Sequence, residues 1–311
     1  MIFRDKLTEI GKSLTPAFEQ LFQKALANQN HPCDLLLWYV NGFYDESVLE
    51  WDSKDDKKYN PHLIGTGTIG HSEQAHYRFI DQYRQAYMSK MSLPEYLKQL
   101  EFPNGKYEEK RAQEIKALVL AEETTINIEF LIYLKFWESD SIIKRFYELA
   151  RIIHGEPYDW YFSIAESNRD EDATGTRQDI VRKLIREKLT GFQPIYDAMK
   201  LAYKTQIRNA IAHSKHSFQG RNIHMHNYIK KDPASQLQNI PFDEWIDIFH
   251  TTLVLHNEYI RLGVMVNEYY CKLVSTQGNE LPIRVTEKSG ESYELLLVCR
   301  QQQQDWRYKQ G

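Results

Sequence analysis

The sequence predicts an all-α protein with a small β-hairpin at its C-terminal end. Apolar residues recur at steps of three and four along most of the chain, which is the spacing of one face of an amphipathic helix. Residues 107–137 form one long stretch of this kind and contain no glycine or proline. The period changes after Cys271, where two β-prone runs flank Ser289 and Gly290.

Composition and charge limit the possible classes of protein. With 311 residues, 42% of them hydrophobic, the chain can form one large domain or two ordinary ones around a buried core. A net charge of −4 excludes nucleic-acid binding through global positive charge but allows a local basic patch. The three cysteines form no CxxC pair, the first residues are charged and no apolar run could span a bilayer. We therefore expect a cytoplasmic protein without a membrane partner.

An N-terminal helical region is expected over residues 1–106. It begins with an amphipathic helix over 2–27 and a short helix that includes Leu35 to Phe43. Residues 46–62 are charged and aperiodic, which indicates a surface loop. Gly65–Gly70 fits GxGxxG, but a nucleotide site of that kind needs a buried strand before the glycines. We interpret these glycines as a loop before a helix over 72–90.

A helical domain is expected over residues 107–275, followed by a hairpin and a frayed tail over 276–311. The elements expected in the domain are a central helix over 107–137, a helix capped by Ser139 or Asp140 that stops at Gly155 to Pro157, a helical stretch over 177–212 broken near Gly191 and Pro194, a small hairpin within 217–229 and a long helix after Pro241.

The distribution of charge singles out residues 199–231, which we call the basic window. It contains seven lysines and arginines and no aspartate or glutamate, so its charge is +7 and that of the remaining chain is −11. It also contains His213, His216, His224 and His226. A basic, histidine-rich segment of an acidic chain predicts a site for an anion, and phosphate is the obvious candidate.

Within the basic window, Arg208 and His213 have side chains suited to phosphate chemistry. Arg208 offers a planar, permanently charged fork for phosphate oxygens. His213 can exchange a proton near neutral pH, as acid or base catalysis requires. Residues five apart are offset by about 140° on a helix. Both side chains can therefore point into one cleft only if the helix ends between them or a second copy contributes.

The segment RNAIAH, with Arg208, Asn209 and His213, resembles the RNxxxH form of the Rx4-6H motif of the HEPN superfamily. These are all-helical domains found in many prokaryotic defence and toxin ribonucleases. The resemblance covers roughly residues 107–271. The motif ends one predicted helix, a polar connection follows, and an amphipathic helix comes next, as in that superfamily.

The resemblance implies an antiparallel helical bundle and a metal-independent endoribonuclease that uses no cofactor. The 2′-hydroxyl of RNA would attack the adjacent phosphate and leave a 2′,3′-cyclic phosphate, in a defence or toxin setting. His213 would act as general acid or base, Arg208 would stabilise the phosphorane and Asn209 would orient one of them or the substrate. Such domains usually pair, so a homodimer is expected. The residues expected to contact RNA are Lys204, Lys215, His216, Arg221, Lys230 and Lys231.

An antitoxin or regulatory partner is a further expectation. One HEPN subgroup, neutralised by a nucleotidyltransferase, resembles RxxxxHxY, but Lys215 stands here where that motif has tyrosine. This departure argues against a partner of that type.

Several alternatives remain open from the sequence. Glu122 and Glu129 share one face of the central helix, either as buried carboxylates that support the site or as a solvated stripe. Arg208 could pair with one of them, and His213 could cap a helix. The four histidines of the basic window could bind a metal, although the window has no carboxylate for them. A non-catalytic helical module that binds RNA or a protein is the main alternative function.

Overall fold

The computed structural model describes residues 1–46, 48, 58–60, 68–167, 170–276, 278–300 and 305–309, with only the backbone of 68–76. The described chain is mostly helical. Its helices are α1 (Arg4–Asn28), α2 (Asp34–Val40), α3 (Thr68–Tyr87), α4 (Leu93–Lys98), α5 (Glu109–Trp137), α6 (Asp140–Ile152), α7 (Arg177–Asp179), α8 (Gln193–Ala202), α9 (Thr205–Ala212) and α10 (Phe242–Ser275). A π-helical stretch, Ile180–Ile185, follows α7, and 3₁₀ turns occupy Pro103–Gly105 and Arg186–Leu189.

The predicted helices are confirmed, and their ends have local causes. The Ser139 hydroxyl accepts a hydrogen bond from the N–H of Ile142 and caps α6 as expected. The short helix α2 stops at Val40, before the predicted Phe43, because Asn41 adopts a left-handed conformation with φ 55°. The predicted break in 177–212 is also present, since helix α8 begins only at Gln193.

Two predictions fall wholly or partly outside the described residues. Of the predicted loop over 46–62, residues 47, 49–57, 61 and 62 lie outside them. Tyr59–Asn60 does not belong to a loop, because it pairs with Phe43–Tyr44 as a short antiparallel ladder. Residues 65–67 of the GxGxxG segment lie outside as well, and helix α3 begins at Thr68.

Small sheets accompany the helices, so the expectation of one C-terminal hairpin was too simple. The strands are β1 (Phe43–Tyr44), β2 (Tyr59–Asn60), β3 (Ile164–Ala165), β4 (Gly175–Thr176), β5 (His216–Phe218), β6 (Asn222–Met225), β7 (Asn239–Pro241), β8 (Glu280–Thr286), β9 (Ser292–Arg300) and β10 (Asp305–Tyr308). Strands β1 with β2 and β3 with β4 form two-stranded pairs, and β5-β6-β7 and β10-β9-β8 form three-stranded sheets.

The C-terminal hairpin is confirmed, and a third strand extends it. Strands β8 and β9 pair antiparallel around a turn that contains Gly290, whose φ of +89° favours glycine. The tail after it was expected to fray, but β10 pairs with β9. Trp306 of β10 is 1% exposed and donates a hydrogen bond to Asn267, so burial of a large ring holds this strand in place.

The predicted hairpin in the basic window is also confirmed. Strands β5 and β6 pair antiparallel, and β7 adds a third strand. Ile223 and Met225 are buried, whereas His224 is half-buried and His226 is exposed. The alternation of Ile223 and Met225 with His224 and His226 along the sequence therefore matches the two faces of the sheet.

The chain divides into two compact units. Unit 1 comprises residues 1–15, 76–138 and 197–257, and unit 2 comprises 16–75, 139–196 and 258–311. The predicted regions were consecutive segments, whereas the divisions between these units fall inside long helices such as α1 and α10. Compactness is set by contacts between residues far apart in sequence, which a segment-by-segment prediction does not include.

Each unit has an aromatic core. In unit 1, the Trp245 ring lies 4.8 Å from Phe130 and 5.6 Å from Tyr133 of helix α5, centroid to centroid. In unit 2, the Trp38 ring of α2 is buried and donates a 2.7 Å hydrogen bond to the carbonyl of Arg145 in α6. None of the described helices has the length and apolar character required to cross a membrane.

Candidate functional site

The site predicted from the sequence lies at the C-terminal end of helix α9, in unit 1. The start of this helix is held by Tyr133 of α5, whose hydroxyl accepts from the N–H of Lys204 at 3.1 Å and donates to the carbonyl of Ala202 at 2.9 Å. The helix ends because Ser214 adopts a left-handed conformation with φ 52°. His213 therefore stands at the helix terminus, with its side chain exposed.

Arg208 and Asn209 are joined by a hydrogen bond between their side chains. The Nη2 atom of Arg208 donates to Oδ1 of Asn209 at 2.9 Å. The Nε atom of Arg208 lies 3.1 Å from a carboxylate oxygen of Glu138, although the direction of its N–H does not make this ion pair a hydrogen bond. The guanidinium is thus oriented by its neighbour and balanced by one partly exposed carboxylate.

Glu138 is a site residue that the sequence reasoning missed. It directly follows helix α5, and the helix ends there, which brings its carboxylate to Arg208. The only available signal was an acidic residue at the end of the long apolar helix. The alternative in which Arg208 pairs with Glu122 or Glu129 is wrong, because its acidic partner is Glu138.

Arg208 and His213 can point into one cleft only if the helix ends between them or a second copy contributes. The position of His213 meets this requirement only in part. Its backbone N–H closes the last turn by donating to the Asn209 carbonyl at 3.1 Å, and the helix ends at this residue. Among the residues that the structure describes, no side chain makes a hydrogen bond or ion pair with the imidazole. The ring is therefore accessible to an incoming molecule, and no side chain in the described residues holds it towards Arg208.

The residues expected to contact RNA fall into two groups. Lys215, Lys230 and Lys231 are exposed, and Lys204 is half-buried. His216 has a structural position instead, because its ring packs edge to face on Phe130 at 4.9 Å. The exposed cations are thus Lys215, Lys230 and Lys231 rather than this histidine.

Arg221 does not offer a free charge. Its Nε and Nη2 atoms donate to the two oxygens of Glu122 at 2.9 and 2.8 Å, and Nη2 also donates to Asp243 at 2.8 Å. Glu122 is 5% exposed. The expected contact of Arg221 with RNA therefore competes with a bidentate ion pair that neutralises a buried carboxylate.

Glu129 is buried as well, so the solvated-stripe interpretation of these two glutamates is wrong. It is 2% exposed and accepts hydrogen bonds of 2.7 Å from the Tyr83 hydroxyl and 2.7 Å from the Trp245 indole. These donors satisfy the carboxylate within the core of unit 1.

The four histidines of the basic window do not gather into a metal site. In the described part of the chain, no group of three or more histidine, cysteine or acidic side chains could hold a metal ion. His226 instead pairs through Nε2 with the Ser217 hydroxyl at 2.8 Å. A site built from these imidazoles would need the sheet β5-β6-β7 to rearrange.

Compared with protein-family models, with curated proteins and with solved structures, the chain finds no match.

Proposed function

We propose that this protein is a metal-independent endoribonuclease that uses Arg208 and His213. The observation that supports the proposal is the end of helix α9, where an oriented guanidinium and an exposed imidazole lie five residues apart on a terminating helix. The resemblance of the same residues to the RNxxxH motif points to the same chemistry. Exposed Lys215, Lys230 and Lys231 add positive charge for the RNA backbone.

The chemistry requires only a movable proton and a stabilised phosphorane. The 2′-oxygen forms a bond to phosphorus, its proton leaves to a base, and the bond to the 5′-oxygen breaks as that oxygen receives a proton. His213 is the group that moves one of these protons, and Arg208 stabilises the charge on the phosphorane. Asn209 keeps the guanidinium in orientation. The scissile phosphate must displace Glu138 from Arg208, so this carboxylate restrains the resting site.

A homodimer would supply the composite cleft that one motif cannot form. On α5 the exposed fractions of Leu120 and Leu131 are 62% and 52%. Leu131 precedes Glu138 by seven residues, so both lie on the same side of that helix. Two copies meeting through this face would bury the leucines and bring their Arg208 sites towards each other.

Light scattering coupled to size exclusion tests the dimer. The chain should elute as a dimer at micromolar concentration, and Leu131→Glu should shift it to the monomer because a carboxylate would enter an apolar contact. Leu296→Glu, an exposed leucine in unit 2, is the matched control and should leave the dimer intact. A strict monomer with full ribonuclease activity would contradict the composite site.

Cleavage of a structured RNA tests the activity itself. Cutting should survive excess EDTA, leave a 2′,3′-cyclic phosphate and fail when the scissile nucleotide is 2′-deoxy. Arg208→Ala and His213→Ala should each lose at least about 100-fold in rate, a typical loss for one such group, and Asn209→Ala should lose less. His226→Ala is the control, since it removes an exposed histidine of the same window. Full activity of His213→Ala, or EDTA inhibition reversed by zinc, would refute the assignment.

The second candidate is a non-catalytic helical module that binds RNA or a protein partner, such as an antitoxin or regulator. It is favoured by the imidazole of His213, which no described side chain orients, and by Glu138, which neutralises Arg208. Fluorescence anisotropy distinguishes the two functions when it is run beside the cleavage assay. Tight RNA binding without any cut product at high protein concentration would support the module.

A further inference from the structure

A second candidate site is a tyrosine-rich cavity in unit 2. Its volume is about 520 Å³, within the range of small-molecule sites. It lies among strands β1 and β2, the segment around Tyr161 and the turn between β8 and β9. The rings of Tyr44, Tyr59, Tyr161 and Tyr293 line it, together with Glu46, Lys58, Glu287 and Lys288.

The rings of this tyrosine cavity are held by one another, so the cavity is preformed. Tyr59 is 8% exposed, and its hydroxyl hydrogen-bonds that of Tyr161. The Tyr59 ring meets those of Trp160 and Tyr293 edge to face, at centroid distances of 5.4 and 6.2 Å. Tyr293 keeps 39% of its surface exposed. A planar ligand can therefore stack on Tyr293 without rearrangement of the buried rings.

Lysines place positive charge where the tyrosine cavity meets an adjoining one, and the acidic residues of the two linings are Glu46, Glu287, Asp140 and Asp172. Lys288 lies over the Tyr161 ring, 5.4 Å from its centroid, and lines both this cavity and an adjoining one of about 440 Å³. The adjoining cavity is also lined by Lys144, a residue of α6 that is 6% exposed. Burial lowers the pKa of Lys144 to about 8, which an anionic ligand beside its ammonium would reverse.

The position of Lys144 is built into the fold. Its Nζ donates to the Gly42 carbonyl, which also accepts from the Tyr158 hydroxyl at 2.6 Å. Residue 42 must be glycine, because a Cβ there would lie 2.9 Å from the Trp160 ring. The ammonium, the carbonyl and the indole are thus fixed together beside the adjoining cavity, which Lys144 and Trp160 line.

The chemistry of the lining decides the class of ligand. Tyrosine faces favour a planar ring, and ammonium groups favour an anion. A free cation is disfavoured, because Lys288 already occupies the Tyr161 face. Glu46 and Glu287 can accept hydrogen bonds from amino groups on the ring. We propose that the two adjoining cavities bind a planar aromatic ring that carries an anionic group, as in a nucleoside monophosphate, with the ring at Tyr293 and the anion at Lys288 and Lys144.

Calorimetric titration of the full chain with AMP at low salt tests this proposal. AMP should bind at least about tenfold more tightly than adenosine or inorganic phosphate, since each of these has only half of the recognised chemistry. The affinity for phenyl phosphate should lie between the affinity for AMP and those for adenosine and inorganic phosphate if the site recognises any aromatic anion. Failure of AMP to bind, or equal affinity for AMP and adenosine, would overturn the proposal.

Variants locate the binding and separate it from the ribonuclease. Tyr293→Leu should lower the affinity for AMP about tenfold, whereas Tyr293→Phe should retain it. Lys288→Met should lower the affinity for AMP but not the affinity for adenosine. Tyr107→Leu and Lys183→Met are the controls, as an exposed tyrosine of unit 1 and an exposed lysine of unit 2. Arg208→Ala should bind AMP normally even if cleavage fails. AMP affinity unchanged by Tyr293→Leu and Lys288→Met would place binding elsewhere and refute the site.

Discussion

The end of helix α9 and the third turn of α10 each carry a histidine but use it differently. At the end of α9, His213 is exposed and Arg208 is balanced by a partly exposed carboxylate. Near the start of α10, His250 is fully buried. Its Nε2 accepts from the N–H of Phe3 at 2.9 Å, and its Nδ1 donates to the carbonyl of Ile246 at 2.7 Å. These partners fix His250 as the neutral tautomer with the proton on Nδ1.

The two arginines of the basic window show the same contrast. Arg221 forms a bidentate pair with buried Glu122, whereas Glu138, the partner of Arg208, is partly exposed. A guanidinium that is already ion-paired inside the protein, or an imidazole whose two nitrogens are already hydrogen-bonded there, is not available to a substrate. The comparison therefore separates residues that build unit 1 from residues that could act on a phosphate.

The largest expected effect is the pH dependence contributed by His250. Burial lowers the pKa of His250 to about 3, from about 6.5 in the unfolded chain. Its contribution to stability is therefore fully present above pH 6.5 and is lost as the pH falls towards 3. In this range it adds about 1.4 kcal/mol per pH unit to the loss of stability, because unfolding takes up one proton.

Denaturant titrations at pH 7, 6, 5 and 4 measure this contribution. His250→Gln keeps an acceptor and a donor but cannot titrate, so its free energy of unfolding should fall less steeply with acid than that of the unmodified protein. His213→Gln, the same substitution at an exposed histidine of unit 1, is the matched control. Equal slopes for all three proteins would show that His250 is not held neutral.

The next largest effect is the loss of stability when Arg221 or Arg208 is replaced. Arg221→Met leaves the buried Glu122 carboxylate without its counter-charge, and we expect a loss of about 3 kcal/mol in the free energy of unfolding. Arg208→Met removes an ion pair with a partly exposed carboxylate, and we expect a loss below about 1 kcal/mol. Urea denaturation at pH 7 compares them. Similar losses for both variants would remove the distinction drawn between the two arginines.

The smallest effect is the change in the salt dependence of RNA binding. Each of Lys215→Ala, Lys230→Ala and Lys231→Ala should reduce the magnitude of the slope of log affinity against log salt by about one. Arg221→Lys should leave the slope unchanged, because its charge already pairs with Glu122 and Asp243. A flatter slope for Arg221→Lys would show that RNA competes successfully with those carboxylates.

The sequence by itself determined the helical elements and the two hairpins. Periods of three to four residues and of two residues are local properties, so α1, α5, α10 and the β8–β9 hairpin could be predicted from spacing and turn chemistry. The motif of Arg208, Asn209 and His213 could be placed at the end of a helix for the same reason. Strand β10 was missed, because its formation depends on a tryptophan that is buried by distant parts of the chain.

Only the tertiary structure decided which charges are neutralised. The basic window contains no carboxylate, yet α5 supplies Glu122 to Arg221 across 99 residues of sequence, and Glu138 reaches Arg208 from the end of the same helix. The sequence could not distinguish the two arginines, because an ion pair depends on the distance and burial of both partners. The tyrosine cavity was hidden for the same reason, since its rings come from segments that are remote along the chain and adjacent only once unit 2 is folded.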